Sequence, residues 1–194
     1  MLLDATAGLD EAALATPSLL PGWTRQHVIA HVAANADALR NLLHWARSGV
    51  KTPMYSSPEA RIAGIQAGLS LSPLALATRL RDSAEALNDD SAGLTPEDWS
   101  HEVVTAQGRT IPVSETAWMR SREVAVHAVD LALGITFADL PADFCSALID
   151  DVLAHRSMAS VPEPMAGSPV ADIAAWLTGR PHALSDAPEL GPWI

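Results

Sequence analysis

Five polar side chains recur along one otherwise apolar segment. Thr116, Arg120, Glu123, His127 and Asp130 are separated by four, three, four and three residues. On a helix that spacing forms a single stripe. Glu123 and His127 are four apart, so their side chains meet over one turn, and Glu-x-x-x-His lets one helix offer two ligands to a metal ion. From pattern alone the stripe is either the solvent face of a surface helix or a seam turned into a bundle to bind something. A third ligand is available upstream, where Val28, Val32, Leu39, Leu43 and Ala46 make an apolar stripe. At about 100° per residue His31 falls on the edge of that stripe, with Asn35 beside it as a polar neighbour. The plainer alternative is a core-edge histidine satisfied by a backbone carbonyl. A competing pair, His27-x-x-x-His31, ranks lower because His27 lies further toward the polar side. Two histidines and one carboxylate leave coordination positions open, as catalytic centres do, whereas closed structural zinc sites usually rely on thiolates. The chain has one cysteine, Cys145, which reads as a small buried hydrophobe.

The elements that must position these residues are marked by caps and breakers. Asp10 caps a short helix over Glu11–Thr16, and Thr24 caps a long one to about Arg47, ended by Gly49. Ser57-Pro58 and Ser72-Pro73 each open a further helix, the second reaching about Asn88. Thr95-Pro96-Glu97-Asp98 has the form of a capping box. Val103-Val104-Thr105 and Arg109-Thr110-Ile111 flank Gln107-Gly108 as a short hairpin or extended loop. Ser114 then caps the helix that carries Glu123 and His127, running to about Leu133 before Gly134. Pro141 starts another helix to about Arg156, prolines mark a linker near residues 162–169, and Ala171–Leu177 is a last short helix. The expectation is a mainly α protein: a four-helix bundle over residues 1–137 and a short C-terminal α or α/β appendage over residues 138–194.

Composition narrows the function. Hydrophobic residues make up 48% and charged residues 18% of 194, enough for a packed core and unlike a disordered chain. A net charge of −11 argues against a nucleic-acid partner, because phosphate backbones are bound by clustered Lys and Arg. No apolar run approaches the ~18 residues of a membrane span, and the first residues lack the basic start of a signal peptide. The expectation is a cytoplasmic protein, monomer or homodimer, with no membrane and no nucleic-acid partner.

Two stretches carry a likeness to a known family. The run Leu19-Leu20-Pro21-Gly22-Trp23-Thr24-Arg25-Gln26-His27-Val28-Ile29-Ala30-His31-Val32-Ala33 resembles the first metal-binding helix of mycothiol-dependent maleylpyruvate isomerases, within the DinB-like superfamily. The run Thr105–Thr110, followed by Trp118–Leu131 with Glu123-Val124-Ala125-Val126-His127, resembles the second. His44-Trp45-Ala46 and Thr52–Arg61 look like the same isomerase. The resemblance implies a DinB-like four-helix bundle in which His31, Glu123 and His127 hold a divalent metal, zinc by expectation. It implies maleylpyruvate as a small dianionic substrate, fumarylpyruvate as product, and mycothiol or another low-molecular-weight thiol as cofactor. Ala174–Arg180 looks like the family's segment that supplies a substrate-binding arginine, so Arg180 takes that catalytic and binding role, with Arg61 beside it and Arg109 and Arg120 in reserve. His31 is assigned a catalytic part besides its ligand role. The C-terminal part looks abbreviated against the family. Two further readings remain open on the same scaffold: a metal-dependent thiol S-transferase, and a non-catalytic metal-binding bundle.

Overall fold

The computed structural model describes residues 1–191 and Trp193, and divides into two compact units, Met1–Ala132 and Leu133–Ile194. The first unit opens with two short helices, α1 (Leu2–Thr6) and α2 (Glu11–Ala15), the latter capped by Asp10 Oδ1 accepting from the Ala13 amide at 2.8 Å. The long helix α3 (Arg25–Ser48) follows and ends at Gly49, whose φ of +70° is the left-handed conformation a helix stop favours. It is buried around most of its circumference: Val28, Val32, Leu39 and Leu42 are fully enclosed, and Ala30, Ala33, Ala36 and Ala38 are nearly so. The apolar stripe seen in the sequence is therefore part of a wider buried surface, because α3 is the helix the others pack around.

Helix α4 (Pro58–Leu69) packs on it at very short range. A Cβ built at Gly68 would collide with Ala30, and one at Gly64 would touch Ala34 at 3.6 Å, so small residues on both helices set the spacing. Helices α5 (Pro73–Ala92) and α6 (Pro96–Ser100) are opened by the expected caps, Ser72 on Ala75 and Thr95 on Asp98, with Asp98 returning a bond to Thr95. α5 runs one turn beyond the expected Asn88.

The hairpin is present, as β1 (Glu102–Val104) antiparallel to β2 (Thr110–Pro112) in register Val103 to Ile111. Its loop turns at Gly108, φ +82°. Val103 and Ile111 point into the core formed with Leu39, Leu42, Leu43 and Met54. Helix α7 (Glu115–Asp130) completes the unit. It stops three residues before the expected Leu133, because Ala132 already adopts a positive φ of 52°. Arg25 holds that strained end: its Nε donates to the Leu131 carbonyl at 2.7 Å and its Nη2 to the Ala132 carbonyl at 2.9 Å.

The second unit has a 3₁₀ turn at Phe137–Asp139 and helices α8 (Ala142–His155), α9 (Glu163–Ala166) and α10 (Val170–Leu177). Its own core gathers Phe137, Leu148, Val152, Ile173, Trp176 and Leu177. The proline-marked linker contains α9, a single turn that the sequence reading passed over. No strand is assigned here among the described residues. No helix is long and apolar enough to cross a membrane.

Candidate metal centre

The seam on α7 faces inward. Thr116 and Asp130 are 4% and 0% exposed, so the solvent-face reading is excluded, and the stripe lies against α3. Arg120 shows how close the two helices come: its Nη1 donates to the Val32 carbonyl at 2.8 Å and to Asn35 Oδ1 at 3.0 Å. Asn35 is thus occupied by Arg120 and does not support His31, contrary to the sequence expectation. The Arg120 tie near the middle of α3 and the Arg25 tie at its start bracket the turn that carries His31.

Within that bracket His31, Glu123 and His127 bring one donor atom each to within 4.8 Å of one another. His31 Nε2 lies 2.5 Å from Glu123 Oε1, and His127 Nε2 lies 3.3 Å from the same oxygen. The two imidazoles stand edge to face with centroids 5.1 Å apart. Trp23, from the turn before α3, sets its ring edge-on to His31 at 5.6 Å and walls one side.

Burial alone would neutralise these groups, yet their mutual contacts prevail. Burial raises the Glu123 carboxyl, but hydrogen bonds from His127 and His31 outweigh it and hold the group well below the ordinary carboxylate range. Burial lowers His127, but Asp130 and Glu123 reverse this and push it up to about 9. Asp130 Oδ2 accepts from His127 Nδ1 at 2.8 Å, which fixes the tautomer and leaves Nε2 facing Glu123. That is the carboxylate–histidine arrangement found behind metal ligands. The sequence reading listed Asp130 in the stripe without this role, although its i+3 spacing from His127 was the available signal.

The donor set suits a divalent ion. A zinc-type ion binds nitrogen and carboxylate oxygen at about 2.0–2.2 Å, which sets its ligand atoms roughly 3–4 Å apart, and the cluster needs only a small opening between His31 and Glu123 to match. The alternative pair fails. His27 Nδ1 accepts from the Thr24 amide at 3.2 Å and contacts the Thr24 hydroxyl at 2.8 Å, so His27 serves the start of α3.

The arginines fall in different places. Arg61, on the first turns of α4, is exposed and has no carboxylate partner among the described residues. Its charge and that of Glu123 both act on the Tyr55 phenol, whose pKa burial raises first of all; Arg61 opposes that rise and Glu123 adds to it. Arg109 is exposed on the hairpin and pairs with Glu115 Oε2 at 3.5 Å, two helical turns before Glu123. Arg180 belongs to the second unit, where it donates to the Thr178 carbonyl and lies over the Trp193 ring. Cys145 is fully buried in the same unit, and burial raises its thiol pKa, so it behaves as an inert core residue.

Fold and cluster define a class: a mainly α, DinB-like four-helix bundle with a two-histidine, one-carboxylate centre between two of its helices. The profile of the mycothiol maleylpyruvate isomerase N-terminal domain matches residues 1–132. Two solved structures align over 97% of this chain and 91% of theirs with TM-scores of 0.86. One is a mycothiol-dependent maleylpyruvate isomerase at 38% identity, the other a histidine-to-alanine mutant of such an enzyme at 37%. No curated protein matches the chain. The chain belongs to the mycothiol maleylpyruvate isomerase family.

Proposed function

We propose that this protein catalyses the thiol-dependent isomerisation of maleylpyruvate to fumarylpyruvate, with mycothiol as the thiol and zinc as the ion held by His31, Glu123 and His127. The observation that carries the reading is the convergence of those three buried or partly buried donors, a set of three that leaves coordination positions over. A divalent ion supplies acidification of a thiol that binds it, since a coordinating thiol is typically deprotonated. The chain's residues do the rest. Asp130 accepts from His127 Nδ1, so the proton that an ion would displace from the ring is the one on Nε2, the nitrogen that would act as ligand. Trp23 and the surrounding core limit water at His31.

In the reaction, the thiolate adds to the cis double bond and its electrons move onto the conjugated carbonyl. The carbon–carbon bond, now single, rotates. The electrons then return, the carbon–sulfur bond breaks, and the trans product leaves with the thiol regenerated. The substrate's two carboxylates call for cations: Arg61, which has no carboxylate partner among the described residues, and Arg180 are the candidates. Arg109 would first have to leave Glu115. Incubating the zinc-loaded protein with maleylpyruvate and mycothiol tests the reading. The expected result is fumarylpyruvate with no net loss of thiol. A stable thioether would identify a transferase instead, and no reaction of either kind would refute both.

A further inference from the structure

The segment between α3 and α4 carries the chain's one tyrosine, Tyr55, and it is pinned on both sides. Before it, Met54 is buried. Its carbonyl accepts from Asn41 Nδ2 of α3 at 3.2 Å, and its Sδ accepts from the Ala106 amide of the hairpin loop at 3.3 Å. After it, Ser57 Oγ accepts from the Ala60 amide at 3.2 Å and starts α4. The backbone at Tyr55 is therefore held without help from its own hydroxyl.

The Tyr55 ring packs, half-buried, on the core cluster that includes Ala38 and Leu42, and Met119 of α7 packs on the same cluster. Ala38 and Leu42 stand seven and eleven residues beyond His31, so they share its face of α3, and Met119 is one turn before Glu123 on α7. Tyr55 thus sits along the same α3–α7 seam as the metal-type cluster. Burial raises its phenol pKa first of all. The Arg61 charge opposes that rise, the Glu123 charge adds to it, a side-chain hydrogen bond from Arg61 opposes it again, and Asp37 adds a little. The phenol stays protonated at neutral pH and is near enough to both Arg61 and the cluster's carboxylate to respond to each. Arg61 donates to its oxygen, and among the described residues no carbonyl or carboxylate accepts from its O–H.

Thiolate addition places a negative charge on the conjugated carbonyl oxygen, a charge the substrate lacks beforehand. A neutral donor fixed at that oxygen gains most in the transition state. The planar cation of Arg61 instead matches a carboxylate, which is present throughout. We propose that Tyr55 is a catalytic residue whose hydroxyl hydrogen-bonds the carbonyl oxygen that becomes negative when the thiolate adds, while Arg61 holds a carboxylate and polarises the phenol. The carbon–sulfur bond forms at the alkene carbon and the π electrons pass to that oxygen. They return when the carbon–sulfur bond breaks, and Tyr55 keeps its proton throughout. The assignment rests on the isomerase reading above.

The test is Tyr55→Phe in the zinc-loaded, full-length protein, assayed beside the parent with maleylpyruvate and mycothiol. Phe keeps the ring, so melting temperature and zinc content should match the parent. The rate constant kcat should fall at least about 100-fold, as loss of one oxyanion donor does, with KM within about threefold of the parent. Because the chain has one tyrosine, growth on meta-fluorotyrosine labels this phenol alone. Its single fluorine NMR signal should shift saturably with fumarylpyruvate, at product concentrations that inhibit the parent. A kcat within about threefold of the parent overturns the proposal, as does a loss in kcat/KM carried by KM alone. A kcat loss accompanied by lost zinc or a lowered melting temperature marks a structural role and overturns it, and so does a fluorine signal that the product leaves unmoved. A parent that does not isomerise maleylpyruvate sinks the isomerase reading and this assignment together, whereas an active parent with an equally active Tyr55→Phe sinks this assignment alone.

Discussion

At the residue scale, three side chains would hold the proposed ion, and a fourth, Asp130, accepts a hydrogen bond from one of them. His31→Ala removes a ligand from α3 but leaves the packing of Val28 and Val32 in place. It should lower zinc affinity by more than the roughly 10–100-fold that follows loss of a supporting partner and abolish turnover, with the helical circular dichroism retained. Full turnover in this variant would remove His31 from the mechanism. Asp130→Asn keeps the shape but exchanges the carboxylate that accepts from His127 Nδ1 for a neutral amide. Zinc affinity should fall about 10–100-fold, measured by competition with a chromophoric chelator, and unchanged affinity would show that the tautomer is set elsewhere. Asp130 was visible in the sequence as part of a stripe. Its partner was not assigned, because i+3 spacing alone does not say which ring nitrogen a carboxylate meets.

At the scale of elements, the centre depends on how α3 and α7 are clamped. Arg25 crosses to the carbonyls of Leu131 and Ala132, more than a hundred residues away. Arg25→Ala should cost roughly 1.5–3 kcal/mol, the range for hydrogen bonds made by a charged group, in a denaturant melt, and should weaken zinc binding because the end of α7 is freed. A stability loss with zinc affinity intact would separate the clamp from the centre. The α3–α4 contact is governed by size. Gly68→Ala forces a methyl group against Ala30 and should destabilise by about 1–3 kcal/mol, as overpacking does; a melting temperature at or above the parent value would show that α4 shifts freely. Caps made these helix starts readable in the sequence. The end of α7 was misplaced by three residues because a side chain from another helix stabilises a left-handed alanine, something no local signal announces.

At the scale of the whole molecule, the two units contribute differently to the proposed reaction. All three proposed ligands lie in Met1–Ala132, while Arg180 lies in Leu133–Ile194. Arg180→Ala should therefore raise KM for maleylpyruvate at least about tenfold and leave zinc content at the parent value. If steady-state kinetics show neither constant moved, the second unit supplies no substrate contact through this residue. By itself the sequence determined the helical class, the caps at Asp10, Ser57, Ser72 and Thr95 (Ser114, expected to cap α7, makes no such bond), the hairpin and the spacing that puts Glu123 and His127 over one turn, because each of these depends on neighbours within a few residues. It also supplied His31 as a candidate. Only the tertiary structure decided that the α7 stripe faces α3 rather than water, that His27 is spent on Thr24, and that Asn35 answers Arg120. Those outcomes depend on which helix packs against which, and at what rotation about its axis. Side chains separated by about ninety residues meet only once that packing is set.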